Sequence, residues 1–342
     1  DSLFRYKAIA AAGVMMDVQT GEILALASLP DFDPNDPSTL FMDYNGVKNQ
    51  RFNRITSGIY ELGSTFKTVT MAGALDSGRV KITDQYDARF GVRFGRFTID
   101  DFHGKHRVLS VPEIYKYSSN IGTIKVMQQM GKDEFRSFLS RIGFDKSVPF
   151  ELPEMRQPKV PAKFSEIVAA TSSFGHGLSI SPLHMVRAVA AFVNDGKMVP
   201  PTLYKRSPEE ARKLYDPVIS SQTSQQVRYL MRLNALEGSG SRMNKYANGY
   251  RAGGKTGTAE KVVGKTYSAN KTLAVFSSAF PLDNPRYAMV ILVDEPQNEN
   301  PQSGHTAGWN AGEITGRIVQ RVAPMLGISP DFSEVLDTEL VP

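Results

Sequence analysis

The chain has 342 residues, of which 41% are hydrophobic and 22% charged, with a formal net charge of +5 and no cysteine. That length holds one large or two ordinary domains with ample core, and the composition is that of a soluble globular protein. The lack of cysteine excludes disulfides, thiol nucleophiles and cysteine metal sites, and Lys and Arg are too scattered to support nucleic-acid binding. A mildly basic surface suits a carboxylate-bearing substrate, and no apolar run approaches the roughly 20 residues needed to span a bilayer.

In chain order, residues 10–29 read as a hairpin: Gly13-Val14-Met15-Met16-Asp17-Val18, a turn at Gln19-Thr20-Gly21-Glu22, then Ile23-Leu24-Ala25-Leu26-Ala27. Residues 30–58 lack periodicity and read as a long loop. A helix is predicted to open near Ser64 and to stop at Gly78, with Phe66, Val69 and Gly73 at helical spacing. Residues 80–108 read as short strands or hairpins, and Trp309 and the phenylalanines between 90 and 102 as packing residues. Ser110-Val111-Pro112-Glu113 has capping-box spacing for a helix through Tyr117. After a break at Ser118-Ser119-Asn120, helices are expected over Ile121 to Met130, Asp133 to Arg141, Ser181-Pro182 to Val193 and Gln222 to Leu236. Consecutive antiparallel strands follow at Lys255 to Val263, Leu273 to Phe280 and Arg286 to Asp294, a C-terminal antiparallel sheet, then a helix from Asn310 to Val322. This order predicts an α/β (α+β) fold: one mixed sheet with helices on it and a helical subdomain inserted between its halves.

Ser64 and Lys67 are three residues apart, on one face of a helical first turn. A serine hydroxyl needs a neighbour to take its proton, and a desolvated lysine serves as that base. Ser-x-x-Lys alone arises by chance about once or twice in such a chain. A second copy, Ser268-Ala269-Asn270-Lys271, lies in a polar stretch that reads as a turn. Two further stretches complete the chemistry. At Ser118-Ser119-Asn120 a hydroxyl can relay a proton and an amide can hold a substrate amide. At Gly254-Lys255-Thr256-Gly257-Thr258, small residues at a strand start permit close approach of a ligand, and Lys255 and Thr256 suit a carboxylate. The backbone N–H groups of Ser64 and Thr258 can pair as an oxyanion hole.

Other readings fail on context. Gly249 to Thr256 fits G-x-x-x-x-G-K-T, but polar residues precede it and Gly257 and Gly264 follow, so a P-loop's buried strand and helix are missing. No G-x-S-x-G elbow accompanies the five histidines. His103 and His106 lack helical spacing and a carboxylate ligand, so an exposed loop is expected there and no metal. Asp294-Glu295 reads as a polar strand end.

Ser-x-x-Lys, Ser-x-Asn and Lys-Thr-Gly in this order form the set shared by penicillin-binding proteins and class A β-lactamases. The chain resembles the transpeptidase domain of class B penicillin-binding proteins along nearly its whole length, including Asn53-Arg54, Phe174-Gly175-His176-Gly177-Leu178-Ser179-Ile180-Ser181-Pro182 and the opening hairpin. Asp101-Phe102-His103 followed by Tyr117-Ser118-Ser119-Asn120-Ile121-Gly122-Thr123 is similar to the cell-division branch. Leu62 departs from a proline common in relatives. The resemblance implies one transpeptidase domain over 1–342 with two subdomains. The family's membrane helix and N-terminal pedestal are not in this stretch. It further implies acyl transfer on peptidoglycan stem peptides in the periplasm, on a protein anchored in the inner membrane. Ser64 would be the nucleophile, Lys67 the base, Ser118 the proton relay and Asn120 the holder of the donor peptide. Lys255, Thr256 and Thr258 would receive the terminal carboxylate, with Ser119 and Gly257 lining the site. No metal or organic cofactor is implied. β-Lactams would acylate Ser64, and a septal glycosyltransferase and other divisome membrane proteins are the implied partners. Two rivals remain: a D,D-carboxypeptidase or β-lactamase using Glu151, Glu154 or Glu166 for deacylation, and a non-catalytic penicillin-binding sensor or scaffold.

Overall fold

The structure is a computed structural model that describes residues 1–36, 49–263 and 266–333. Its centre is a five-stranded sheet. Strands β1 (Ala10–Asp17) and β2 (Ile23–Leu29) form the expected hairpin, and β3 (Gly253–Val263), β4 (Thr266–Phe280) and β5 (Tyr287–Asp294) come from the last third. The order is β2-β1-β5-β4-β3, so the chain's two ends meet where β1 lies beside β5, with Val14 opposite Val290. Every pairing is antiparallel, as expected for the three C-terminal strands; only the mixed character expected of the sheet as a whole is corrected. The Ser268-x-x-Lys271 copy lies within β4 and not in a turn.

Alternation along the strands sends side chains to two faces, and each face has its own core. Val14, Met16, Val275, Val290 and Leu292 join the larger cluster; Met15, Phe276, Met289, Ile291 and Val293 join the smaller. All eight residues of β5 are buried, as a central strand covered on both faces requires.

Helices are α1 (Lys67–Asp76), α2 (Val111–Tyr117), α3 (Asn120–Met130), α4 (Lys132–Arg141), α5 (Glu166–Ser173), α6 (Pro182–Val193), α7 (Ser221–Glu237), α8 (Ser241–Tyr246) and α9 (Ala311–Met325). Ser110 and Glu113 make the predicted capping box, and Ser181 caps α6 ahead of Pro182. Each such cap contributes about 1 kcal/mol. Helix α6 is buried on every side, so it forms the spine of the larger core. Helix α9 covers the opposite face, with Ile314 and Ile318 turned to the smaller core as expected. Between α1 and α2, short strand pairs join Gln85–Asp87 to Val108–Ser110 and Val92–Phe94 to Phe97–Ile99. Phe94 packs on the core there, but Phe90, Phe97 and Phe102 are exposed, against expectation: two-stranded ribbons have no second layer to cover them.

Candidate active site

Ser64 stands in a 3₁₀ turn, Gly63–Phe66, and Lys67 is the first residue of α1. The tighter turn eclipses residues three apart, which brings Lys67 Nζ to 2.8 Å from Ser64 Oγ. Leu62, at the start of this turn, is buried and leaves the contact intact. Ser118 lies between α2 and α3 in the left-handed region, φ 59°, a strained conformation for a non-glycine residue. That bend delivers two oxygens to the same ammonium: Ser118 O at 2.7 Å and Ser118 Oγ at 3.0 Å. Asn120, in the first turn of α3, adds Oδ1 at 2.7 Å.

The Lys67 side chain is fully buried, and burial first, then the Lys255 cation, hold its pKa well below the ordinary lysine range; Asp101 acts in the opposite direction. Ser118 O and Asn120 Oδ1 only accept, so Lys67 donates to both. When the amine is neutral its lone pair can face a hydroxyl, and Ser64 and Ser118 each present one.

Lys255, also fully buried, is pushed down to about 7 by desolvation. Its Nζ lies 3.0 Å from Ser118 Oγ, so that hydroxyl bridges the two lysines. A buried lysine depressed in the fold and ordinary when unfolded takes up protons on unfolding. Stability must therefore rise with pH between about 7 and 10.5 and lack this contribution below 7. Melting at pH 9 should exceed that at pH 7 by at least about 3 °C, and Lys255→Met should reduce the difference without abolishing it, because Lys67 is depressed too, as calorimetry at the two pH values would read.

Strand β3 closes the site from the sheet's edge. A Cβ at Gly257 would lie 2.9 Å from Thr65 N and closer still to Leu62 O. The glycine thus admits the chain's own Ser64 turn, where the sequence suggested room for a ligand. Thr258 N lies beside Gly63, and Thr258 Oγ1 accepts from Ala307 N at 3.1 Å. Thr256 Oγ1 is 2.6 Å from Ser239 Oγ, which also sits 3.4 Å from Lys255 Nζ. Ser239, just beyond the helix expected over Gln222 to Leu236, was not among the site residues expected from the sequence. Ser119, expected against substrate, is buried as the cap of α3: it donates to Asp101 Oδ2 at 2.7 Å and accepts from Gly122 N at 2.9 Å.

The decoys fall elsewhere. Lys255 lies on a strand, not at a helix start, so the P-loop reading is excluded by geometry. His184 is a buried structural residue between Ser181 Oγ and Lys146 O, lowered to about 4 by burial. His176 was given no role, but it neighbours Lys67, and both burial and that charge depress it. Among the described residues no group of His, Cys, Asp and Glu is arranged to hold a metal. Asp294 and Glu295 end β5 and both pair with Lys261. Glu151 holds Thr202 and Leu203, Glu154 holds Asn53, and Glu166 pairs with Lys132. None of these contacts is to Ser64, Lys67, Ser118 or Asn120.

A partly exposed Ser64 against the buried Lys67, bridged by Ser118 and walled by the Lys-Thr-Gly edge strand, assembles the groups that serine acyl transfer requires. The chain belongs to the family of penicillin binding protein transpeptidase domains, whose pattern matches residues 11–320. It is 37% identical over 329 residues to the probable peptidoglycan D,D-transpeptidase FtsI of Caulobacter vibrioides, covering 93% of this chain and 54% of that protein. It is 30% identical over 327 residues to the peptidoglycan D,D-transpeptidase FtsI of Escherichia coli, covering 95% and 53%. The chain therefore spans about half the length of these relatives. Among solved structures, the transpeptidase domain of Burkholderia pseudomallei penicillin-binding protein 3 superposes with a TM-score of 0.83 at 28% identity, covering 97% of this chain and 93% of that one. Penicillin-binding protein 3 of Mycobacterium tuberculosis, complexed with aztreonam, gives 0.82 at 26% identity, covering 96% and 75%.

Among the described residues no helix is long and apolar enough to cross a membrane.

Proposed function

We propose that this chain is a serine D,D-transpeptidase domain that cross-links peptidoglycan stem peptides during septal wall synthesis. The observation that carries the reading is the 2.8 Å contact between a buried Lys67 amine and Ser64 Oγ, in a pocket shared with Ser118 and Asn120. Lys67 takes the Ser64 proton as Oγ attacks the carbonyl of the penultimate D-Ala. The Ser64 and Thr258 N–H groups receive the oxyanion. As the C–N bond breaks, the proton passes through Ser118 to the departing D-Ala amine. Asn120 holds the donor peptide, and Lys255, Thr256 and Thr258 bind its terminal carboxylate; Gly257 lets β3 stand this close. Ser119 serves by holding the turn. The amine of a second stem peptide then attacks the ester, forming the cross-link and freeing Ser64. β-Lactams enter by the same first step.

Residues 1–342 form, in this reading, one catalytic domain of two subdomains from a longer protein. An N-terminal anchor would hold it at the inner membrane facing the periplasm, beside a septal glycosyltransferase and other divisome proteins. The engagement of Glu151, Glu154 and Glu166 elsewhere favours transfer over hydrolysis, which needs a base beside the ester. Intact mass after addition of benzylpenicillin, followed over hours, tests the reading. A one-to-one adduct that persists is expected; rapid loss of adduct with accumulating hydrolysed drug would replace the transpeptidase by a hydrolase.

A further inference from the structure

The segment after the strand Phe97–Ile99 brings a carboxylate to the back of the Ser118–Asn120 turn. Asp101 Oδ2 accepts from the Ser119 hydroxyl at 2.7 Å, and Oδ1 accepts from Ile121 N–H at 2.9 Å. Both carboxylate oxygens are thus committed to α3's first turn, where a negative charge is also favoured by the helix dipole. Ser119 passes the constraint inward, because its oxygen accepts from Gly122 N at 2.9 Å. The residues flanking Ser119 are the two that meet Lys67: Ser118 through O and Oγ, Asn120 through Oδ1. Ser118 is held in the left-handed region, a conformation that persists only where the surroundings enforce it.

We propose that Asp101 is a positioning residue for acyl transfer. Clamping Ser119 to the preceding loop fixes the Ser118 hydroxyl and the Asn120 amide against Lys67, and the carboxylate places a negative charge behind the turn that holds this lysine. The inference rests on the acyl-transfer reading above and extends it to a residue outside its three motifs. Loss of the clamp frees the bridging hydroxyl, and misplacement of a catalytic group by about 1 Å costs about a hundredfold in rate.

The charge has a separate signature. The charged groups that act on Lys67 are Lys255 from β3 and Asp101 from the loop; His176, in the turn after α5, is itself depressed by Lys67, and the Tyr115 and Thr68 hydroxyls pair with each other. Lys255 lowers the Lys67 pKa and Asp101 raises it. Removing the carboxylate therefore lets Lys67 lose its proton at lower pH, and the acid limb of the acylation profile moves down. Lys255 and His176 are the same in every variant, so the comparison isolates Asp101.

The experiment measures the second-order rate of acylation by a fluorescent penicillin from pH 5 to 9 for the wild type, Asp101→Ala, Asp101→Asn and Ser119→Ala. Asp101→Ala should fall about 10- to 100-fold, and Asp101→Asn less, both with the acid limb displaced downward by at least about half a pH unit. Ser119→Ala, which keeps the charge and loses the clamp, should lose rate without displacement. Should Asp101→Ala fail to fold, the other two variants carry the test. Rates within twofold of wild type, or a loss with no displacement in the Asp101 variants, would overturn the proposal. An unacylated wild type would instead remove the acyl-transfer reading, and this inference with it.

Discussion

Replacing Lys67 by methionine should slow acylation by benzylpenicillin about a thousandfold or more, while the domain stays folded. The lysine is completely buried, and its nitrogen contacts four oxygens within 3.0 Å. Methionine has similar length and no proton-accepting nitrogen, so the Ser64 proton loses its acceptor. General-base catalysis contributes about 10²- to 10⁴-fold, and a thousandfold corresponds to about 4 kcal/mol of barrier. The effect on stability is small because two contributions oppose each other. Ser118 O and Asn120 Oδ1 each lose a donor, at about 1–3 kcal/mol apiece, while the desolvation that depresses the lysine is removed. A melting temperature within about 5 °C of wild type is expected. Ser64→Ala supplies the zero of the scale, since no adduct can form without its oxygen. If Lys67→Met acylates at the wild-type rate, the base must be sought elsewhere, and Lys255, 3.0 Å from Ser118 Oγ, would be next. Stopped-flow measurement of adduct formation beside thermal melts separates the two readouts.

Much of this site was legible in the sequence because its parts are locally encoded. Ser64 and Lys67 meet through three-residue spacing, and a 3₁₀ turn in place of the expected α-turn only tightens that contact. Ser181-Pro182 marks the start of α6 by capping chemistry alone. The Gly-Lys-Thr-Gly stretch fell on a strand because its flanks suit neither a P-loop strand nor its helix. What stayed hidden depends on pairs far apart in the chain. Asp101 and Ser119 are 18 residues apart, and Ser239 and Thr256 are 17 apart. Ser119, Thr256 and Asp101 stand in recognisable motifs, but nothing local to any of the four names its partner. The exposed Phe90, Phe97 and Phe102 failed for a related reason: hydrophobicity predicts burial only where a second layer exists to supply it. The sheet's all-antiparallel character also depends on which strands become neighbours, and β1 finds β5 across almost the whole chain.

Gly257 illustrates the same limit with a large consequence. Gly257→Ala should reduce acylation about a hundredfold although it adds a single methyl group. The new Cβ would meet Leu62 O, Thr65 N and Thr65 Cγ2, the last two at 2.9 Å. Two of these are backbone atoms of the turn that carries Ser64, so no side-chain rotation relieves the overlap. Strand β3 must move off the turn, or the turn must move off β3. Either displacement separates the Ser64 and Thr258 N–H groups that the mechanism aims at one oxyanion, and losing one such donor costs about 10²- to 10³-fold. A second glycine provides the comparison. A Cβ at Gly73 would strike the Phe138 ring, a side chain in the core rather than the catalytic turn. Gly73→Ala should therefore lower the melting temperature while leaving the acylation rate of the folded protein within a few fold of wild type. Gly257→Ala should lower the rate more than its loss of stability accounts for. Equal acylation by Gly257→Ala and wild type would mean that β3 does not set the oxyanion geometry, and Thr258 would lose its assigned role.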